Sequence, residues 1–250
     1  MSGLSRCLAG AFAISLGLGV AQASDLDDVS KAFDGLASNV EYPDDYIQSV
    51  SNAASTALSG HLDIREHTVV VVDRSPAKQA LFVFYVQPDD GWETLYSGHV
   101  STGKPGRKEH FKTPTGVFVL DGSIMDYRAQ GTFNENHIRG IGLKGSRVWD
   151  FGWQETDDWR TPGAKMKIRM EMHATDPANL EHRIGRADSE GCIRIHADLN
   201  KVLDQYGILD REPNQLAQNG SAGWKQVLGK EHKYSDISGD TLVIVDTSQR

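Results

Sequence analysis

A change of hydrophobic period near residue 68 constrains most strongly how this chain folds. Before it, apolar residues recur at helical spacing; after it, short β-branched and aromatic runs are separated by turn clusters. The pattern predicts helices between residue 24 and about residue 60. It predicts strands over residues 68–72, 80–86, 93–101 and 115–120. Short strands at this spacing favour a mainly β fold with α-helices added, as a sandwich or barrel-like sheet.

A strictly alternating segment follows over residues 166–173. The alternation puts the apolar residues on one face of a predicted strand and the polar residues on the other. The apolar residues are Met166, Ile168, Met170 and Met172, and the polar residues are Lys167, Arg169, Glu171 and His173. His173 is therefore expected at the end of a strand, on the face opposite the apolar one. An imidazole placed there is available for proton transfer.

Cys192 stands 19 positions after His173 and directly after Gly191. A thiol is a good nucleophile only as the thiolate, and a neighbouring imidazole takes its proton. Gly191 has no side chain to block a ligand that approaches the backbone. We expect the amides of Gly191 and Cys192 to form an oxyanion hole. His196 is also near in sequence but ranks below His173 as the base.

Two motifs together resemble a known family. The segment from His173 to Ser189-Glu190-Gly191-Cys192-Ile193-Arg194, with Thr113-Pro114-Thr115-Gly116 upstream, resembles the L,D-transpeptidase catalytic domain, the YkuD-like family, over roughly residues 66 to 208. The resemblance implies a YkuD-like β-sandwich. It also implies that Cys192 attacks a peptide carbonyl of a peptidoglycan stem and that His173 acts as base and then acid.

Substrate contacts are expected from Gly191, Arg194 and Ser189. Arg194 shares the face of Cys192 if this segment is extended, and it either holds a substrate carboxylate or neutralises Glu190. Glu190 departs from the family, which most often has a histidine immediately before Gly-Cys. A carboxylate directed at the sulfur would oppose thiolate formation. We therefore expect Glu190 to point away or to pair with a cation such as Arg194.

The sequence divides into four segments. Residues 1–23 have a positive Arg6, an apolar run and a small-x-small end, which predicts a signal peptide and export to the periplasm or cell wall. An N-terminal helical segment (24–63) precedes the catalytic domain (64–210), and a C-terminal extension (211–250) ends in a strand expected to close a sheet edge. Cleavage would remove Cys7 and leave Cys192 as the only cysteine, without a disulfide partner.

Residues 121–163 are predicted to form a long, irregular and aromatic loop. Such a loop either covers the cleft, with its aromatic residues against sugar or peptide, or simply packs down on the domain. After Cys192, apolar residues at helical spacing from Leu199 to Tyr206 predict a helix that ends at Gly207. The helices before residue 60 are expected to pack on the catalytic domain instead of masking a groove or binding a partner.

The composition excludes some functions. The formal net charge is −8, which argues against a nucleic-acid partner or an acidic membrane surface. No histidine or acidic residues have a metal-ligand spacing, and no cofactor is expected. The resemblance implies a cysteine acyltransferase that forms a thioester with a tetrapeptide stem. The amine that resolves it belongs to another stem or to an outer-membrane or wall-anchored protein.

Three alternatives remain open. If water resolves the thioester, the same site is an L,D-carboxypeptidase or an amidase. A non-catalytic wall-binding module is a different class, in which Glu190 has silenced the site. A redox role is the weakest alternative, because the mature chain has no second cysteine to resolve an oxidised thiol.

Overall fold

The computed structural model describes residues 25–60, 65–87 and 91–249. The predicted signal peptide, including Cys7, lies outside the described residues, as does the predicted boundary between residues 63 and 64. Among the described residues, no helix has the length and apolar character needed to cross a membrane.

The described residues contain nine strands in two sheets. They are β1 (His67–Asp73), β2 (Ala80–Gln87), β3 (Gly91–His99), β4 (Gly116–Val119), β5 (Tyr127–Arg128), β6 (Arg147–Asp157), β7 (Lys165–Ala174), β8 (Ile193–Ile195) and β9 (Thr241–Val245). The helices are α1 (25–34), α2 (Asp44–Ala57), α3 (Ala197–Gln205), α4 (Arg211–Gln218) and α5 (Ala222–Leu228). This mixed, β-rich architecture with N-terminal helices confirms the predicted fold class.

The first sheet has the strand order β3-β2-β1-β9-β4. β9 pairs in parallel with β1 and antiparallel with β4, and all five of its residues are buried. The expectation that the C-terminal strand closes a sheet edge is therefore wrong. An all-apolar run such as Leu242 to Val245 needs cover on both faces, and an interior position in the sheet supplies that cover.

The second sheet has the order β5-β6-β7-β8, and β8 runs parallel to β7. Its two faces differ in chemistry. One face contributes to the larger of the hydrophobic cores through Trp149, Met170, Met172, Ile193 and Ile195. The other face carries the polar residues of β7, so the alternation that the sequence predicts over residues 166–173 is present.

The prediction of an irregular stretch over residues 121–163 is partly wrong, because it contains β5 and the eleven residues of β6. The register between β6 and β7 shifts between Asp150 and Trp153, and Gly152 there has φ +74°. This β-bulge interrupts the period of two that identifies a strand in sequence. Trp149 is fully buried, whereas Trp153 is 63% exposed.

The N-terminal helices pack against both faces of the first sheet. Val29 and Phe33 of α1 join the larger core, and Tyr46 and Val50 of α2 join a second core on the opposite face. Apolar residues along β1 divide between the two cores, with Val70 in one and its neighbours in the other. The two helices thus stabilise the sheet that supports the second, site-bearing sheet.

Candidate active site

The parallel pairing of β7 and β8 brings the predicted catalytic residues to one surface. Met172 lies opposite Ile193 and His173 lies opposite Arg194. Extending this register by one residue sets Cys192 beside Glu171. Paired residues point to the same face of a sheet, and alternate residues share that face. Glu171, His173, Cys192 and Arg194 therefore form a square, with Cys192 and His173 on one diagonal; we call it the site square.

Cys192 is partly exposed, so its sulfur is accessible from solvent. Sγ lies 3.9 Å from the carbonyl oxygen of Arg169, to which the thiol donates. Burial raises the pKa of the Cys192 thiol to about 11, while the backbone N–H of Glu171 and the charge of Arg194 act in the opposite direction. The resting nucleophile is therefore a thiol, and it needs a proton acceptor.

His173 is 3% exposed, and Nδ1 lies 2.6 Å from the carbonyl oxygen of Ala174. A carbonyl oxygen only accepts, so Nδ1 carries the proton and Nε2 has a free lone pair. Burial, helped by the positive charge of Arg194 and opposed by the hydrogen bond to Ala174, lowers the pKa of His173 to about 4. The imidazole is therefore neutral at rest. Within the described part of the chain, no hydrogen bond joins its ring to the Cys192 thiol.

Ser189 holds the loop that presents the thiol. It is fully buried, and its hydroxyl donates to the Cys192 carbonyl at 2.5 Å and accepts the Gly191 N–H at 3.2 Å. Its backbone accepts the N–H of Lys104 and donates to Thr102. These contacts place Ser189 in the frame of the loop and away from the surface that a substrate touches.

Gly191 is required by its conformation and by its surroundings. Its φ is +141°, and a Cβ there would lie 2.7 Å from Cδ1 of Ile168. The fully buried Thr113 fixes the Gly191 carbonyl by donating its Oγ1–H at 2.8 Å, and the same oxygen accepts the Gly103 N–H at 2.8 Å. The Thr-Pro-Thr-Gly segment therefore braces the cysteine loop.

The two backbone amides expected to form an oxyanion hole differ in whether their N–H groups are already hydrogen-bonded. The Gly191 N–H is engaged by Ser189, whereas the Cys192 N–H donates to no acceptor among the residues that the structure describes. A free amide adjacent to the nucleophile is suitably placed to stabilise an oxyanion formed at that sulfur.

Arg194 and Glu190 do not pair with each other. Arg194 donates from Nη1 to the Asp188 carbonyl at 3.3 Å, and its Nε is buried without a hydrogen-bond partner among the described residues. Glu190 is exposed, and its backbone carbonyl accepts the Phe111 N–H at 3.0 Å. Of the two expectations for Glu190, pairing with Arg194 is wrong, and the carboxylate stands in solvent.

Sequence reasoning missed the carboxylate of Glu171 as a neighbour of the thiol. The alternating sequence pattern predicts that Glu171 lies on the same face as His173. Its position beside Cys192 depends on the register between β7 and β8, which the pattern does not show. Tyr127 donates its hydroxyl proton to Oε1 of Glu171 at 3.0 Å. Asp150, which pairs with Glu171 across β6 and β7, accepts from Nε of Arg169 at 2.9 Å.

Two exposed tryptophans of the region between residues 121 and 163 differ in their contacts. Trp153 is 63% exposed and lies 6.0 Å from the Arg169 guanidinium, measured to the ring centroid. Trp159 is 41% exposed but is tied down, because its Nε1 donates to the His110 carbonyl at 2.8 Å. His196, the lower-ranked base, lies 3.9 Å from Glu181 and outside the site square.

One group of described residues, Asp204, Asp210 and His232, offers three metal-ligand atoms within 4.8 Å of one another. Two guanidinium groups already neutralise its carboxylates: Arg128 pairs with Asp204, and the fully buried Arg147 pairs with Asp210 at 2.9 Å. The group therefore belongs to a buried ion-pair network and is separate from the site square.

Comparison with known proteins identifies the family of the chain. The family model of the L,D-transpeptidase catalytic domain, YkuD, matches residues 67–213, close to the range of 66 to 208 expected from the motifs. The chain belongs to this family. Residues 67–213 therefore form its L,D-transpeptidase catalytic domain.

A search of curated proteins gave no match. Among solved structures, the chain is similar to a fused Zn-dependent amidase/peptidase/peptidoglycan-binding domain-containing protein from Clostridium acetobutylicum ATCC 824, with 14% identity and a TM-score of 0.32. The similarity covers 82% of this chain and 63% of that one, so the chain spans less than two thirds of the length of this relative.

Proposed function

We propose that the protein is an exported cysteine acyltransferase that uses Cys192 to form a thioester with a peptidoglycan tetrapeptide stem. The observation that carries this proposal is the pairing of β7 with β8, which puts a partly exposed thiol and a neutral imidazole on one face. The Nδ1 contact with Ala174 supports the role of base, because it leaves the Nε2 lone pair of His173 free.

Acylation begins from neutral groups. As Sγ of Cys192 attacks the carbonyl carbon of the third stem residue, its proton passes to Nε2 of His173. Arg194 stabilises the developing thiolate, and the free Cys192 amide stabilises the oxyanion. Collapse of the tetrahedral intermediate breaks the peptide bond. The terminal D-alanine leaves with the proton from His173, and the acyl group remains on sulfur.

The second half-reaction releases the acyl group to an acceptor. An amine of another stem gives a crosslink, and an amine of an outer-membrane or wall-anchored protein gives an attached protein. Water gives a trimmed stem, as in an L,D-carboxypeptidase. In an amidase, the amine of an attached protein leaves in the first step in place of D-alanine, and water then frees the stem from the sulfur. Each outcome proceeds through the same Cys192 thioester, so the donor step defines the class of enzyme.

The test is mass spectrometry of the products from purified protein and defined muropeptides. Crosslinked dimers, trimmed tripeptides and released proteins differ in mass, so one experiment separates transfer from hydrolysis. We expect Cys192→Ala and His173→Ala to abolish all products. The matched control is His196→Ala, which removes an imidazole outside the site square and is expected to retain activity. Full activity of Cys192→Ala would refute the proposal.

A non-catalytic wall-binding module predicts a different result. The negative charge of Glu190 raises the pKa of the Cys192 thiol, but Glu190 is exposed, so solvent screens that charge and the enzyme is still favoured. Labelling of Cys192 by a carbapenem-type acylating agent would support the enzyme. Binding to sacculi without acylation or turnover would support the module.

A further inference from the structure

The carboxylate of Glu171 stands next to the nucleophile and has no role in the donor step. Its backbone N–H faces the Cys192 sulfur, and its side chain is half-buried on the same face of the sheet. Oε1 accepts the Tyr127 hydroxyl, while Oε2 has no hydrogen-bond partner among the described residues. One carboxylate oxygen is therefore positioned by the protein, and the other is available to a ligand beside the sulfur.

The charge of Glu171 is not cancelled by its neighbours. The nearest cation on its own strand, Arg169, is held by Asp150 through both carboxylate oxygens. Arg194, at the opposite corner of the site square, donates to Asp188. The site square therefore has a negative corner at Glu171 and a positive corner at Arg194, with the thiol between them. A cationic group that approaches the sulfur is attracted to the Glu171 corner.

Burial shifts the pKa values of both Glu171 and His173, in opposite directions. It raises the pKa of Glu171 and lowers the pKa of His173 to about 4. The charged and titratable groups that face Glu171 come from four strands, and they are Tyr127, Asp150, Arg169, His173, Cys192 and Arg194. Asp150 raises the Glu171 pKa, while the Tyr127 hydroxyl and Arg169 lower it. Glu171 lies beside Cys192 in the register of β7 with β8 and has one carboxylate oxygen without a partner among the described residues, so it is placed to take a proton from an ammonium group that approaches the sulfur.

We propose that Glu171 binds the amine of the acyl acceptor beside Cys192 and takes one of its protons during transfer. This inference rests on the proposed acyltransferase function. The ammonium group gives one proton to the Glu171 carboxylate, and the resulting neutral amine attacks the thioester carbon. The C–S bond breaks as the C–N bond forms. Sulfur leaves as a thiolate and receives the second amine proton, which restores the thiol.

The test separates transfer from acylation. A disaccharide tetrapeptide serves as both donor and acceptor, and the ratio of crosslinked dimer to trimmed tripeptide measures amine against water. We expect Glu171→Gln to lower this ratio at least tenfold, with acyl-enzyme formation no slower than one third of the wild-type rate. The matched control is Glu190→Gln, which removes an exposed carboxylate near the same cysteine and is expected to leave the ratio unchanged.

The pH profile supplies a readout that a purely structural role would not change. The ratio of crosslinked dimer to trimmed tripeptide is expected to rise with pH as Glu171 loses its proton. The Tyr127 hydroxyl lowers the Glu171 pKa, so Tyr127→Phe should shift the midpoint of this rise to higher pH. An unchanged midpoint in Tyr127→Phe would overturn the inference, because the hydrogen bond would then have no influence on the proton acceptor.

Other results distinguish this inference from the proposed function. A wild-type protein that forms no acyl-enzyme would overturn both. A wild-type protein that is acylated but yields only tripeptide would overturn the amine role of Glu171 alone. The same would follow if Glu171→Gln kept the wild-type ratio, or if it lowered acylation and transfer equally.

Discussion

Thr113 links the Thr-Pro-Thr-Gly segment to the cysteine loop, and its replacement tests that link. Thr113→Val keeps the shape of the side chain but removes the hydroxyl. The change leaves the Gly191 carbonyl and the Gly103 N–H without their 2.8 Å partners. Both bonds are buried, and each unsatisfied buried group costs about 1–3 kcal/mol. We expect the free energy of unfolding to fall by about 2–6 kcal/mol.

Thr113→Val should slow the reaction of Cys192 by more than the loss of folded protein alone explains. Gly191 directly precedes Cys192 in the chain. If the Gly191 carbonyl loses its hydrogen bond and can move, we expect the Cys192 amide and sulfur to move with it. We expect acylation of Cys192 to slow at least tenfold in protein that is still folded, because small misplacements of reacting groups are costly. Urea unfolding followed by tryptophan fluorescence measures stability, and intact-mass kinetics with an acylating agent measure the site.

Two variants of the same segment are the controls. Thr113→Ser retains the hydroxyl and should recover most of the stability and the rate. Thr115→Val makes the same chemical change two residues later at an exposed position and should be nearly silent. The reasoning fails if Thr113→Val differs from Thr115→Val by less than roughly 0.5 kcal/mol and acylates equally fast, since surface changes are usually within that range.

Two further predictions concern buried charge and the resting thiol. Arg147→Met leaves Asp126 and Asp210 buried without their guanidinium and should cost about 3–5 kcal/mol. Burial raises the pKa of both carboxyls to about 6, so they retain protons more strongly when folded and destabilise the fold as pH rises. Urea unfolding should therefore show a smaller loss at pH 5 than at pH 8, and equal losses would contradict this account. Alkylation of Cys192 by iodoacetamide should accelerate about tenfold per pH unit from pH 7 to 10, because its pKa is raised to about 11. A plateau below pH 8 would instead indicate a preformed ion pair with His173.

The local sequence pattern was sufficient to predict the helices and strands whose apolar residues recur with a clear period. The strands β1 and β2, the helices before residue 60 and the helix after Cys192 lie close to their predicted positions. The alternation before His173 also identified the face on which the site is built. Each of these signals depends on neighbours within a few residues, and such signals are visible in sequence.

Features that depend on contacts between residues far apart in the chain could not be predicted from the sequence. β8 has only three residues, and its register with β7 decides that Glu171 lies beside the thiol. β9 pairs with β1, which lies far from it in sequence, so the interior position of β9 cannot be found from its own composition. The helices α4 and α5 were missed because they bury few apolar residues, which form a small separate cluster around Trp224.

The measurement that tests the account most directly is the intact mass of the protein during reaction with a tetrapeptide stem. The account predicts a covalent adduct equal to the stem minus its terminal D-alanine. Peptide mapping should place it on Cys192, and it should be absent in both Cys192→Ala and His173→Ala. Turnover without an adduct on Cys192, or an adduct on another residue, would contradict the account.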